Sequence, residues 1–192
     1  MVARTHDLAA ITALSAVVLI EPIRTITLST AIIAIFANLI GGITPDIDQP
    51  TAPLWRNLPV GKFFGRLFDR LAGGHRFLTH SIIGLVLFGL LVRLLLTFLS
   101  PVMHGTNTGL VWWAFMIGMV SHLVMDSFTK EGVPWLLPIP IKFGFPPLKK
   151  ARIRTGHWAE KLIVFPLLIV LDMTLYLSNH NKILAIIRYH IT

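Results

Sequence analysis

Residues 81–99 read SIIGLVLFGLLVRLLLTFL, an apolar run broken only by Arg93. A helix needs roughly 20 such residues to cross the hydrocarbon core of a bilayer, so this stretch can span. The residues directly before it are of the opposite kind. Gly74 to Ser81 reads GHRFLTHS and packs His75, Arg76, Thr79, His80 and Ser81 into one short segment. Two imidazoles, a guanidinium and two hydroxyls at the mouth of a membrane helix are costly to bury without partners.

The composition extends the same reading to the whole chain. Of its 192 residues 54% are hydrophobic and only 14% charged, against roughly 25% charged in a soluble domain. With a mean hydropathy of +0.73, the expectation is an all-α integral membrane helical bundle forming one domain over residues 1–192. There is no cysteine. That excludes a disulfide framework, a zinc–thiolate site and a cysteine nucleophile, so any metal must be held by imidazole and carboxylate. The net charge of +8 marks cytoplasmic loops and lipid headgroup contacts in such a chain, and no nucleic-acid partner is expected.

Four further apolar runs surround the first. Leu8–Ile20 is short for a span and is read as a short or tilted helix with Pro22 in the following turn; no small-residue cleavage site marks it as a signal peptide. Ile26–Ile43 ends in Gly41-Gly42 and the rigid segment TPDIDQP, whose two prolines exclude a regular helix. Gly109–Met125 carries Trp112 and Trp113 near its start, as an aromatic belt would. Leu162–Ser178 is the last span, interrupted by Asp172, and residues 179–192 read as a tail. Between the second and third spans, Lys62–Ala72 places Phe63, Phe64, Leu67, Phe68 and Leu71 on one helical face and Lys62, Arg66 and Arg70 on another. Such a helix suits the headgroup plane. The stretch 127–159 is proline-rich, basic and too irregular for a helix.

Lys and Arg orient the five spans. Arg56, Lys62, Arg66, Arg70 and Arg76 fall in one long loop, and Lys130, Lys142, Lys149, Lys150, Arg152 and Arg154 in the other. The turn at 21–25 has only Arg24, and the turn at 100–108 has neither residue. Both long loops and the N-terminus are therefore expected in the cytoplasm; the last segment, with Lys182 and Arg188, runs mildly against the rule. On this topology His6, Asp46, Asp48, His75, His80, His122, Asp126 and Glu160 all fall at the cytoplasmic ends of spans. The basic residues alone set the topology, so this clustering is an independent observation.

Each of these residues has an ordinary reading. His122 and Asp126 share a helix face at i, i+4 and can hold one ion, or can simply cap a helix end. Asp46-Ile47-Asp48 can be a solvated turn, and a single His at a helix start is an unremarkable interface residue. Four histidines and four carboxylates at one membrane face, in a chain with nine acidic residues, point to a shared metal site. His6, Asp46, Asp48, His75, His80, His122 and Asp126 are the expected ligands. The donor set suits zinc, manganese or iron better than calcium, and its number suggests two or more ions. Asp48 or Glu160 is expected to accept a proton from water. Arg76, Thr79 and Ser81 are expected to contact substrate oxygens, unless Thr79 instead caps the third span. Arg93 and Asp172 lie at similar depth and are expected to pair inside the bundle.

At these residues the chain resembles a known family. PDID with its following proline, GHRFLTHS, SHLVMDSFTKEGVPWLLPI, RTGHWAEKLI and the early Thr5-His6 resemble, in order, the motifs of the YdjM family. These are bacterial inner-membrane proteins described as LexA-regulated, membrane-bound, metal-dependent hydrolases. The resemblance covers about residues 1–165. It implies that the eight His, Asp and Glu residues named above are the functional set. More distantly, the family looks similar to the helical, zinc-dependent phospholipase C and P1 nuclease superfamily, whose His-x-x-x-Asp pair His122 and Asp126 fit. The expected function is hydrolysis of a phosphoester in a lipid or lipid-linked substrate at the cytoplasmic face of the bacterial inner membrane. The alternative is a non-catalytic metal-binding or transport protein.

Overall fold

Thr27, Ser81 and Asn107 decide where three of the long helices begin. Each is extended and caps its helix through its side-chain oxygen, which accepts the backbone N–H of Thr30, Gly84 and Leu110 at 3.2, 3.0 and 3.1 Å. The computed structural model describes residues 1–20, 26–56, 58–71, 76–139 and 141–191, with the side chains of 53, 54, 71 and 185–191 set aside. In order, the helices are α1 (Ala3–Ile20), α2 (Leu28–Ile43), α3 (Pro53–Arg56), α4 (Gly61–Leu71), α5 (Ile82–Leu99), α6 (Thr108–Ser127) and α7 (Phe165–Ile191). A 3-10 turn, Thr44–Asp48, continues α2, and a π turn, Glu160–Val164, leads into α7. No strand occurs among the described residues, only isolated bridges such as Thr129 with Ile153.

Five helical stretches are long and apolar enough to cross a membrane: Ala3–Ile20, Leu28–Asp48, Ile82–Leu99, Thr108–Ser127 and Glu160–Leu184. Their outward faces carry Phe36, Leu90, Leu94, Phe98 and Leu167 in the open. So much exposed apolar surface is stable against lipid and not against water. The protein is an all-α membrane bundle, with the short amphipathic α4 outside the spans.

The α2–α6 pair is the most extensive helix contact, and α6 also packs on α1 and α5 while α7 packs on α1. Small residues allow the close approach of α2 and α6. A Cβ on Gly41 would collide with the carbonyl oxygen of Phe115, and one on Gly118 with that of Asn38. Asn38, fully buried, donates to the carbonyl of Ala114 at 3.0 Å across the same seam. A core of Leu85, Phe115, Met119, Leu123 and Val133 fills the centre.

Three expectations need correction. The first helix starts at Ala3, not Leu8, because Thr5 and His6 are buried against the other helices and their polar turn belongs to the interior. The stretch 179–191 is not a tail but the continuation of α7. Arg93 and Asp172 do not pair, because α5 packs on α6 while α7 packs on α1. Arg93 lies over the Trp112 ring at 5.8 Å, and Asp172 accepts the Thr12 hydroxyl at 2.9 Å. Arg93→Leu and Asp172→Leu are therefore expected to add within about 0.5 kcal/mol in the double variant. The check is denaturation by SDS in mixed micelles; rescue of one change by the other would mean that the two charges meet.

Candidate metal centre

Four chain segments and the start of α1 meet at one end of the bundle. Met1 lies just ahead of α1 and His6 on its first turns, and Asp46 and Asp48 come from the 3-10 turn after α2. Arg76, Thr79 and His80 lie just before α5, His122 and Asp126 on the last turns of α6, and Glu160 at the head of α7. His6, Asp48, His80, His122, Asp126 and Glu160 are all buried, while the Asp46 side chain keeps 22% of its surface. His75 lies outside the described residues.

The inner donors are evenly spaced. Asp46 Oδ1 lies 3.6 Å from His122 Nε2 and 3.8 Å from His80 Nε2, and Asp126 Oδ2 lies 3.7 Å from each of the same two nitrogens. Neighbouring ligands of a tetrahedral ion with bonds of about 2.0–2.2 Å stand about 3.3–3.6 Å apart. His6 stacks flat on His122, ring centroids 3.7 Å apart and planes 8° from parallel. Both His6 nitrogens and His122 Nε2 are buried without a hydrogen-bond partner among the described residues. Orphaned buried polar atoms cost about 1–3 kcal/mol each. A divalent cation would supply the missing partner, and the donors present fit one.

The local structure explains why these nitrogens face inward. His122 Nδ1 lies 2.6 Å from the Gly42 carbonyl. A carbonyl can only accept, so Nδ1 carries the hydrogen and Nε2 the lone pair. His80 is set in the same manner. Thr79 Oγ1 donates to Asp48 Oδ2 and lies 3.0 Å from His80 Nδ1, which turns Nε2 towards Asp46 and Asp126. Burial by itself disfavours a proton on His80, but hydrogen bonds and charge from Asp126 and Asp48 outweigh it. With no ion present the ring holds its proton to higher pH than an ordinary imidazole.

Two groups have ligand atoms mutually within 4.8 Å: His6, His122 and Asp126, and Asp46, His80 and His122. Both use the same nitrogen of His122, because Nδ1 is taken by Gly42. One lone pair serves one ion, so among the described residues the two groups do not hold two ions through His122 at once. The larger ion count inferred from the number of ligands therefore gains no support here.

The remaining expected site residues take other positions. Asp48 accepts the Arg76 N–H at 3.0 Å as well as the Thr79 hydroxyl, and stands behind His80 at 3.5 Å from Nδ1. Glu160 accepts the N–H groups of Val2 and Gly156, each at 2.7 Å, and so fixes the start of α1 and with it His6. Neither carboxylate belongs to the two ligand groups. Arg76 is 5% exposed and points inward: Nη2 lies 2.6 Å from Asp126 Oδ2, an ionic contact without hydrogen-bond alignment, and Nη1 donates to Thr129 Oγ1 at 2.9 Å. The Ser81 hydroxyl is committed to capping α5 and to the Leu78 carbonyl at 2.7 Å. Three partners had no mark in the sequence reading: the Gly42 carbonyl, Thr129, and the Met1 amine paired with Asp126. Thr129, three residues after Asp126 at the helix end, carries the only local signal, since a backbone group leaves none.

YvsG of Bacillus subtilis (strain 168) is 28% identical over 147 residues, covering 76% of this chain and 80% of its own. Inner membrane protein YdjM of Escherichia coli (strain K12) is 31% identical over 135 residues, covering 66% of this chain. The match spans 59% of the length of that relative, and the same figures hold for the protein of that name in Shigella flexneri. No solved structure matches. The family described as YdjM inner membrane protein matches residues 1–186, and the chain belongs to it as a multi-pass inner membrane protein.

Proposed function

We propose that this protein is a metal-dependent hydrolase that cleaves a phosphoester in a lipid or lipid-linked substrate at the cytoplasmic face. The observation that carries the reading is the cluster of His6, His80, His122, Asp46 and Asp126, in which both His6 nitrogens and His122 Nε2 are buried without a hydrogen-bond partner among the described residues. Zinc suits such donors, with manganese and iron next. A divalent ion there would supply Lewis acidity to a phosphoryl oxygen and to water. The distribution of Lys and Arg argues that this end faces the cytoplasm, where headgroups lie.

The chain's own residues divide the remaining work. Asp46 is the one partly exposed carboxylate of the ligand groups, beside a cavity of about 30 Å³ lined by Ala3, His6, Gly42, Ile43, Ile47 and Ala52. That volume admits a water. Asp46, rather than Asp48 or Glu160, is then the carboxylate placed to take a proton from it. Asp48 and Thr79 orient His80, the Gly42 carbonyl orients His122, and Glu160 holds the segment that carries His6. The same small cavity favours a second reading: a non-catalytic metal tie between helices, since a phosphoester needs more room.

The test is metal content of the detergent-purified protein, wild type beside His122→Ala. One ion per chain is expected in wild type and none in the variant, with unchanged helicity by circular dichroism. Because His80 must surrender its proton on ligation, affinity is expected to rise with pH while that proton is displaced, by about tenfold per unit. Metal-dependent headgroup or phosphate release from phospholipids or polyprenyl phosphates would support hydrolysis. Metal without release from any of them supports the tie, and no metal after reconstitution overturns both.

A further inference from the structure

The amphipathic helix α4 is built onto the turn that carries Asp46 and Asp48. Trp55 Nε1 donates to the Ile47 carbonyl at 2.7 Å, between the two carboxylates in sequence. Gly65 sits on this tryptophan so closely that a Cβ there would lie 3.0 Å from its ring and 2.9 Å from Pro50 Cα, and a Cβ on Gly61 would collide with the Trp55 carbonyl. Phe68 adds a tilted ring contact to Trp55 at 6.3 Å. One face of α4 is thus locked to the site's own turn.

The other faces are open. Phe63, Phe64 and Leu67 are 61%, 52% and 45% exposed, and Lys62, Arg66 and Arg70 are exposed beside them. None of the three cations makes an ion pair among the described residues. Apolar side chains flanked by unpaired cations match a leaflet surface that offers acyl chains below and anionic phosphates above. Water alone matches only the cations, and a protein groove would need acidic partners for them.

We propose that α4 docks on an anionic lipid leaflet and that, through Trp55, this docking holds in place the turn bearing Asp46 and Asp48. The docking stands on its own observations; its consequence for metal affinity rests on the metal-centre reading above. The leaflet becomes part of the site's scaffold, and the opening beside Asp46 is presented to phosphate headgroups.

The experiment compares full-length protein in nanodiscs of phosphatidylcholine alone and of phosphatidylcholine with phosphatidylglycerol at seven to three, by amide hydrogen exchange without metal. Exchange in 61–71 and in 44–52 is expected to slow together in the anionic discs. Lys62→Gln/Arg66→Gln/Arg70→Gln should remove the slowing in both segments. Trp55→Phe, which keeps a ring against Gly65 but loses the bond to Ile47, should leave it in α4 and remove it from 44–52. Equal exchange in the two discs overturns the docking, and slowing confined to α4 in wild type overturns the transmission. Zinc titration in the same discs is the second measurement, with affinity about five-fold or more higher in anionic discs for wild type. An anionic leaflet concentrates cations by itself, so the comparison is with the triple variant, where the gain should shrink to that background. A gain equal in both proteins overturns the link to the site. The expected exchange pattern with no zinc bound in either disc would leave the docking standing and remove the metal reading.

Discussion

Asp126→Asn is expected to destabilise the metal-free protein by about 3–5 kcal/mol, the usual cost of leaving a buried charge without its partner. The Asp126 side chain is 1% exposed and lies against the Arg76 guanidinium, the Met1 amine and His6 Nε2, the last at 3.3 Å. An amide keeps the shape and removes the charge. Arg76 would then face only the Thr129 hydroxyl and Glu131, which is 3.5 Å away and 62% exposed. A solvent-exposed carboxylate is a poor substitute in high dielectric. Adding Arg76→Met should recover a large part of the loss, because the buried cation goes with its counterion. SDS titration of the metal-free proteins measures this. If the double variant is as unstable as the sum of the singles, Arg76 is not the group that Asp126 neutralises.

Gly118→Ala is expected to cost at least the roughly 1–3 kcal/mol of ordinary overpacking, and to lower metal affinity with it. The added methyl would meet the Asn38 carbonyl oxygen and come within 2.8 Å of Gly42 N. These are backbone atoms of α2, which cannot rotate aside as a side chain would. Relief requires α2 and α6 to separate, and the Gly42 carbonyl that sets the His122 tautomer moves with α2. The variant should lose both stability and ion binding, whereas Gly109→Ala, near the opposite end of α6, should change neither. Its Cβ would meet only the Asn107 side chain at 3.2 Å. Normal ion binding by Gly118→Ala at full occupancy would show that His122 does not depend on this seam.

The apolar runs revealed the five spans, and the placement of Lys and Arg brought the polar residues to one end. That end is where His6, Asp46, Asp48, His80, His122, Asp126 and Glu160 meet. Their division of labour was not legible. Asp48 and Glu160 look like ligands or bases in sequence, yet they are used on N–H and O–H donors whose positions only the fold decides. Helix α1 looked too short because Arg4, His6 and Asp7 resemble a solvated lead-in; burial of the Thr5-His6 turn overrides that signal. The partner of Arg93 is hidden for a related reason: equal depth says nothing about which helices are neighbours, and Arg93 lies over Trp112. Gly41-Gly42 marks the end of a span in sequence, while its larger role is close approach, Gly41 to α6 at Phe115 and Gly42 to α1 at Ala10.

The clamp of Glu160 on the N–H of Val2 joins the first helix to the last. During synthesis α1 enters the membrane well before α7 has left the ribosome. Until then His6 and the Met1 amine beside Asp126 have an incomplete mount. The cluster is therefore complete only when the fifth helix inserts, and an ion held there would be loaded late in biogenesis. A chain stalled before residue 160 would carry most of the donors yet hold them loosely, which makes metal retention a measure of completed insertion.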